Sequence, residues 1–108
     1  MPMTETEFCR AAADTLRLLA ERLEPLDNQG LIDVDSHDDV LTVELNDGRQ
    51  FVVNRHAPTQ EIWLSSPFSG GLHFSSGTSG QWILKDGRTL AGIFSDDIFK
   101  ATGARVVF

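Results

Sequence analysis

LIDVDSHDDVLTVELNDGRQFVVN, residues 31–54, carries the alternation that sets the fold. Ile32 and Val34 alternate with Asp33 and Asp35; Leu41, Val43 and Leu45 enclose Thr42 and Glu44; Phe51 and Val53 alternate with Val52 and Asn54. Successive side chains on a strand point to opposite faces, so this period of two predicts three strands, each with one face in the core. Asn46-Asp47-Gly48 supplies the tight turn between the second and third, which makes the pairing antiparallel.

The pattern extends in both directions. Residues 60–66, about 71–75 and 81–84 continue the meander, separated by Ser-Pro-Phe-Ser-Gly-Gly (66–71) and Ser-Gly-Thr-Ser-Gly (76–80) turns. Asp86-Gly87 then breaks the chain before a second helix carrying Leu90, Phe94, Ile98 and Ala101. Upstream, Phe8, Ala12, Leu16, Leu19, Leu23 and Leu26 recur by fours and threes, one face of a helix from about Thr4 to Pro25, with Thr4 and Glu7 as a capping box. The order helix, strands, helix predicts an α+β two-layer sandwich, both helices on one face of an antiparallel sheet of about six strands, in a single domain spanning 1–108.

That architecture assigns the stretch QEIWLSS, residues 60–66. Ile62 and Leu64 face the helices, so Trp63 faces outward with Glu61 and Ser65, as do Asn54 and His73 on the neighbouring strands. Trp63 is expected at the surface.

Composition is that of an ordinary globular chain, 41% hydrophobic and 23% charged. No apolar run approaches the length of about 18 residues that marks a membrane span, and no basic leader precedes the first helix. A lone cysteine, Cys9, offers no internal disulfide, and these features together predict a cytoplasmic protein. The net charge of −7 is uneven: residues 1–44 hold eleven acids against three arginines, the remainder five acids against six bases. Such a block excludes nucleic acid and anionic lipid as partners and favours cations or a basic protein.

No catalytic constellation is legible. DVDSHDDVLTVE, residues 33–44, imitates an EF-hand loop in its acids, but Asp38 stands where the sharp turn needs glycine and the alternation from Val40 is that of a strand. The glycines of GGLHFSSGTSG lack the spacing and lysine of a phosphate loop, no G-x-S-x-G surrounds Ser65 or Ser66, and His37, His56 and His73 lack metal-ligand spacing. Cys9 and Arg10 diverge around the helix, which leaves the thiol edging the apolar stripe.

The run NRHAPTQEIWLSSPFSGGLHF, residues 54–74, with Trp82 and Asp86-Gly87 downstream, resembles the central signature of the frataxin family in its short bacterial, CyaY-type form. The absence of a leader also resembles the bacterial members, and the likeness covers essentially the whole chain. It implies a non-enzymatic, weakly iron-binding (Fe2+/Fe3+) protein of iron–sulfur cluster assembly that docks on a cysteine desulfurase–scaffold complex and modulates sulfur transfer, donating or sensing iron. Such a protein is a monomer without metal and an oligomer when iron drives assembly. The family's acidic ridge maps onto Glu21, Glu24, Asp27, Asp33 and Asp35, with Asp38 and Asp39 in the adjoining turn. Partner contacts map onto Glu24, Asp27, Asp33 and Asp35 of that ridge and onto Asn54, Trp63 and His73 of the exposed sheet face. His56 and Glu61 replace glutamines of the mitochondrial members. Pro25, Gln29 and Leu31 stand where the densest bacterial ridges carry acids, and Cys9 where some carry histidine, which implies a lower iron capacity.

The residues themselves agree with weak binding. Carboxylate oxygen suits iron, but a row along a helix and a strand offers each ion only one or two ligands. Two other readings stand beside this one. A ferroxidase or iron-storage protein needs a Glu and Glu-x-x-His site on facing helices, which the sequence lacks; an acidic adaptor for an unrelated basic protein needs only the charge.

Overall fold

A computed structural model describes residues 3–77 and 80–108. Helix α1 (Glu5–Asn28) leads into strands β1 (Ile32–His37), β2 (Val40–Leu45) and β3 (Gln50–His56). A 3-10 turn (Ala57–Thr59) precedes β4 (Glu61–Ser66), β5 (Gly70–Ser76), β6 (Trp82–Ile83) and α2 (Leu90–Thr102). The strands form one six-stranded sheet in sequential order, each antiparallel to the next. This is the expected α+β sandwich. Of the expected 76–80 turn, Thr78 and Ser79 lie outside the described residues.

The helices and one face of the sheet share a core. Phe8, Ala12, Leu16, Leu19, Leu23 and Leu26 of α1 and Leu90, Phe94 and Ile98 of α2 are buried with Leu41, Val43, Phe51, Val53, Ile62, Leu64 and Phe74 of the sheet. Phe51 meets Phe94 edge to face at 5.3 Å between centroids, and Phe8 meets Trp82 at 5.9 Å. Trp82 is a core aromatic whose indole N–H donates to Thr15 Oγ1 at 2.8 Å.

Helix α1 begins at the expected capping box, with Thr4 Oγ1 accepting from Glu7 N and Glu7 Oε1 from Thr4 N. It does not stop at Pro25. Proline removes one helical donor, here the one that would reach the Glu21 carbonyl, yet burying Leu26 on the stripe holds the next turn in place. The helix ends instead at Gly30, left-handed at φ 77°, where Gly30 N donates to Asp27 O and Leu31 N to Leu26 O.

Residues 33–44 form two strands around an Asp38–Asp39 turn, with no calcium-type loop running into a helix. Strand β4 starts at Glu61 because Gln60 is left-handed after the 3-10 turn, and β6 is only Trp82–Ile83, shorter than the expected 81–84.

Candidate functional site: an acidic groove and an aromatic stack

The acids expected to form one ridge are divided between two sides of β1. Glu21, Glu24 and Asp27 of α1, with Asp38 and Asp39 of the turn, line a groove of about 420 Å³ between α1 and the outer edge of β1. Asp33 and Asp35 alternate away from Ile32 and Val34, and stand on the open face opposite Glu44 and Thr42. The groove also contains cations. Arg17 and Arg55 line it, and Arg55 Nη2 pairs with Asp39 Oδ2 at 2.6 Å. Asp38 faces His37 Nε2 at 3.3 Å, and Asp27 Oδ2 accepts the backbone N–H of Val34 at 2.8 Å. Among the described residues no three His, Cys, Asp or Glu side chains converge as a metal cage. The exposed carboxylates of Glu21 and Glu24, with the second oxygen of Asp27, offer hard oxygen ligands without a fixed geometry.

The open face carries the second feature. Register brings His37, Val40, Asn54, Trp63 and His73 into one lateral row across five strands. Trp63 is on that face as expected, but it is half-buried rather than laid bare. The imidazoles of His56 and His73 cover its two sides, at 3.8 Å and 13° and at 4.1 Å and 9° between ring centroids and planes. Asn54 pairs directly with Trp63 in the β3–β4 register and is half-buried beside it.

A hydrogen-bond relay fixes the stack. His56 Nδ1 lies 2.8 Å from Thr59 Oγ1, the Thr59 hydroxyl donates to Glu61 Oε1 at 2.8 Å, and Trp63 Nε1 donates to the same oxygen at 3.0 Å. Because the single hydroxyl proton of Thr59 goes to Glu61, the network assigns Nδ1–H as the donor of His56 and leaves Nε2 as the acceptor of the neutral ring. The Trp63 indole N–H holds the Glu61 carboxyl below its ordinary range; partial desolvation opposes this, and the Thr59 hydroxyl and the charges of His73 and His56 add to it.

The profile of the frataxin-like domain matches residues 1–104, on the same helix–sheet–helix frame. The chain belongs to the frataxin family. The iron–sulfur cluster assembly protein CyaY of Neisseria meningitidis serogroup B is 35% identical over 105 residues, 96% of this chain and 94% of that one. The CyaY of Neisseria gonorrhoeae is 34% identical over the same shares. A frataxin from Psychromonas ingrahamii, of the CyaY family, has a TM-score of 0.84 at 25% identity, covering 97% of each chain. A trimeric frataxin from the yeast Saccharomyces cerevisiae, complexed with ferrous, has a TM-score of 0.76 at 30% identity, covering 96% of this chain and 90% of that one.

In this frataxin-family chain the Ser65-Ser66-Pro67-Phe68-Ser69-Gly70 signature has a structural explanation. Ser66 and Ser69 both donate to Oδ2 of Asp97, at 2.7 and 2.6 Å, and Ser66 Oγ accepts from the backbone of Phe68 and Ser69. Asp97 is only 1% exposed, so a buried carboxylate of α2 ties down the β4–β5 turn. That turn sets the register that places His73 on Trp63. Sequence reasoning missed Asp97, the stacking role of His56 and the Arg55–Asp39 pair. Asp97 does stand at the helical spacing of Leu90, Phe94 and Ile98, on the buried face, where a carboxylate requires partners.

Proposed function

We infer that this protein is a non-catalytic, iron-binding regulator of iron–sulfur cluster assembly in the cytoplasm, docking on a cysteine desulfurase–scaffold complex and modulating sulfur transfer. The observation that carries this reading is the division between two sites: carboxylates that do not converge in the groove between α1 and β1, and an ordered aromatic stack on the open face of β3, β4 and β5. The names of the CyaY relatives and the ferrous complex of the yeast protein support it.

In this reading iron is cargo held weakly by Glu21, Glu24 and the free oxygen of Asp27, with Asp38 and Asp39 partly engaged by His37 and Arg55. Asp33 and Asp35 are separate, open-face sites for cations or for a basic partner. Fe2+ and Fe3+ bind in the labile manner of an incomplete ligand set, and other divalent ions compete, because nothing in the groove selects geometry. Glu24, Asp27, Asp33 and Asp35 steer a basic partner, while Asn54, Trp63 and His73 contact it. The protein is monomeric without metal and assembles further with iron, in keeping with the trimeric yeast frataxins.

Amide NMR during Fe2+ titration tests the metal reading. Signals of 21–39 should shift or broaden while those of 60–75 stay in place; a tight, iron-exclusive site elsewhere overturns it. Affinity for a purified desulfurase–scaffold complex tests the docking reading, and no measurable binding at low salt overturns it.

A further inference from the structure

The His56–Trp63–His73 stack sets two imidazole rings flat against one indole on the open sheet face. Imidazole is the side chain whose charge ordinarily changes between about pH 5 and 8. Two imidazoles lie flat on one indole, each at a separation where an added positive charge is attracted by the face of the ring. The relay leaves His56 Nε2 as the site for the added proton, so protonation keeps every bond from Nδ1 through Thr59 to Glu61. Glu61 of β4 accepts from Trp63 Nε1 and Thr59 Oγ1, its carboxyl is held below its ordinary range first by the Trp63 N–H, and it is the nearby carboxylate on the same face as the stack.

Among the described residues, the other charged group next to this relay is Glu5 of α1, which lines the surface beside Ala57–Gln60, on the far side of the 3-10 turn. Strand β5 carries only His73, while the 3-10 turn and β6 carry no charged side chain. Arg55 of β3 lies on the opposite face, paired with Asp39. Farther along the open face stand His37, Asp33 and Asp35 of β1 and Glu44 of β2.

We propose that this stack is a proton-operated clamp on the open sheet face, which tightens on Trp63 and lowers the negative charge of the face when its imidazoles protonate. The partner it fits is a basic protein surface, by complementarity to Asp33, Asp35, Glu44 and Glu61 on the same face. Both sides of Trp63 are already occupied, so a partner group that stacks on the indole must first displace an imidazole. Displacement is harder for an imidazolium, and a basic surface is drawn less strongly to a less negative face. Docking therefore weakens as pH falls.

This regulation rests on the docking reading above, and the experiment separates the two. Emission from Trp63 is obtained by subtracting the spectrum of Trp63→Phe, which reports buried Trp82 alone. Imidazolium quenches indole, so Trp63 emission should drop by about half between about pH 8 and about pH 5.5. His56→Gln and His73→Gln should each remove part of the drop and the double variant all of it. An equal drop in the double variant, or none in the wild type, overturns the clamp whether or not any partner binds. With the desulfurase–scaffold complex as probe, wild-type affinity should be about threefold to tenfold lower at about pH 6 than at about pH 8. The double variant should show no such difference. Equal wild-type affinities at the two pH values overturn the gating, whereas no binding at either pH overturns the docking reading and leaves the fluorescence result to decide the clamp.

Discussion

Asp27 Oδ2 accepts the backbone N–H of Val34 at 2.8 Å, so a carboxylate of the acidic groove also closes the outer edge of β1. An edge strand left open is a template for unwanted pairing. Asp27→Ala should cost about 1–3 kcal/mol, the penalty for stranding a partly buried donor, while Asp27→Asn keeps an acceptor oxygen and should cost less. Urea melts of the two variants decide it; equal stability of wild type and Asp27→Ala would show that the bond carries no weight.

Charge reversal follows from the same bond. On charge alone, replacing Glu24, Asp27 and Asp33 by Lys relieves repulsion and spares the fold. Because Asp27 serves Val34, the informative set is Glu21→Lys, Glu24→Lys and Asp33→Lys, which should melt at or above the wild-type temperature while losing affinity for the desulfurase–scaffold complex. Raising salt should weaken the wild type in the same direction, since exposed charges are screened within about 8 Å at physiological ionic strength. Salt-independent affinity would remove the electrostatic reading of these acids.

Asp97, itself buried, accepts from buried Ser66 and from Ser69 at the surface, with Lys100 Nζ 3.8 Å from its other oxygen. Asp97→Ala leaves two hydroxyls without their acceptor and should cost about 2–3 kcal/mol. The same change should disturb amide signals at 66–73, across the turn, more than those of 31–45. A spectrum unchanged in that turn would mean that the network does not position it.

Trp63→Ala should cost about 1–2 kcal/mol of stability, through loss of stacking on His56 and His73, well below the 3–5 kcal/mol of a buried aromatic. Its effect on docking should be larger, about 2 kcal/mol or roughly thirtyfold in affinity, as for an aromatic anchor. Trp82→Ala is the contrast: that indole is in the core, and its loss should behave as a cavity. A Trp63→Ala protein that melts as Trp82→Ala does, with unchanged affinity once folded, would contradict the assignment of Trp63 to the docking face.

The relay also predicts a pH dependence of stability. Glu61 has a folded pKa below its ordinary 4.5, first because the Trp63 N–H bonds to its charged form. A depressed carboxyl stabilises the fold fully above that ordinary value and loses the contribution as pH falls through the lowered folded value. Stability of Glu61→Gln should therefore approach that of the wild type at low pH and fall below it near neutrality; a gap that widens on acidification would reverse the sign and refute the relay.

The layered fold is legible in the sequence because each element has one apolar face at its own period. The fours and threes of Phe8 to Leu26 and the twos of Ile32 to Val53 each bury one side, and the turns at Gly48 and Asp86-Gly87 leave the meander as the connection between them. Alternation also places Trp63 outward, since Ile62 and Leu64 take the core side. What covers Trp63 is a different kind of fact. His56, Trp63 and His73 come from three strands and meet only through register, which depends on a turn held by Asp97 from a distant helix. The acids follow the same rule: their residue types and one-sided concentration are local and readable, but the pleat that sends Asp33 and Asp35 to the face away from Glu21 and Glu24 takes effect only once β1 is laid against α1. Periodicity is a property of neighbours along the chain and survives in the sequence, whereas stacking, ion pairing and ligand convergence are properties of neighbours in space and are set only when the sheet register is closed.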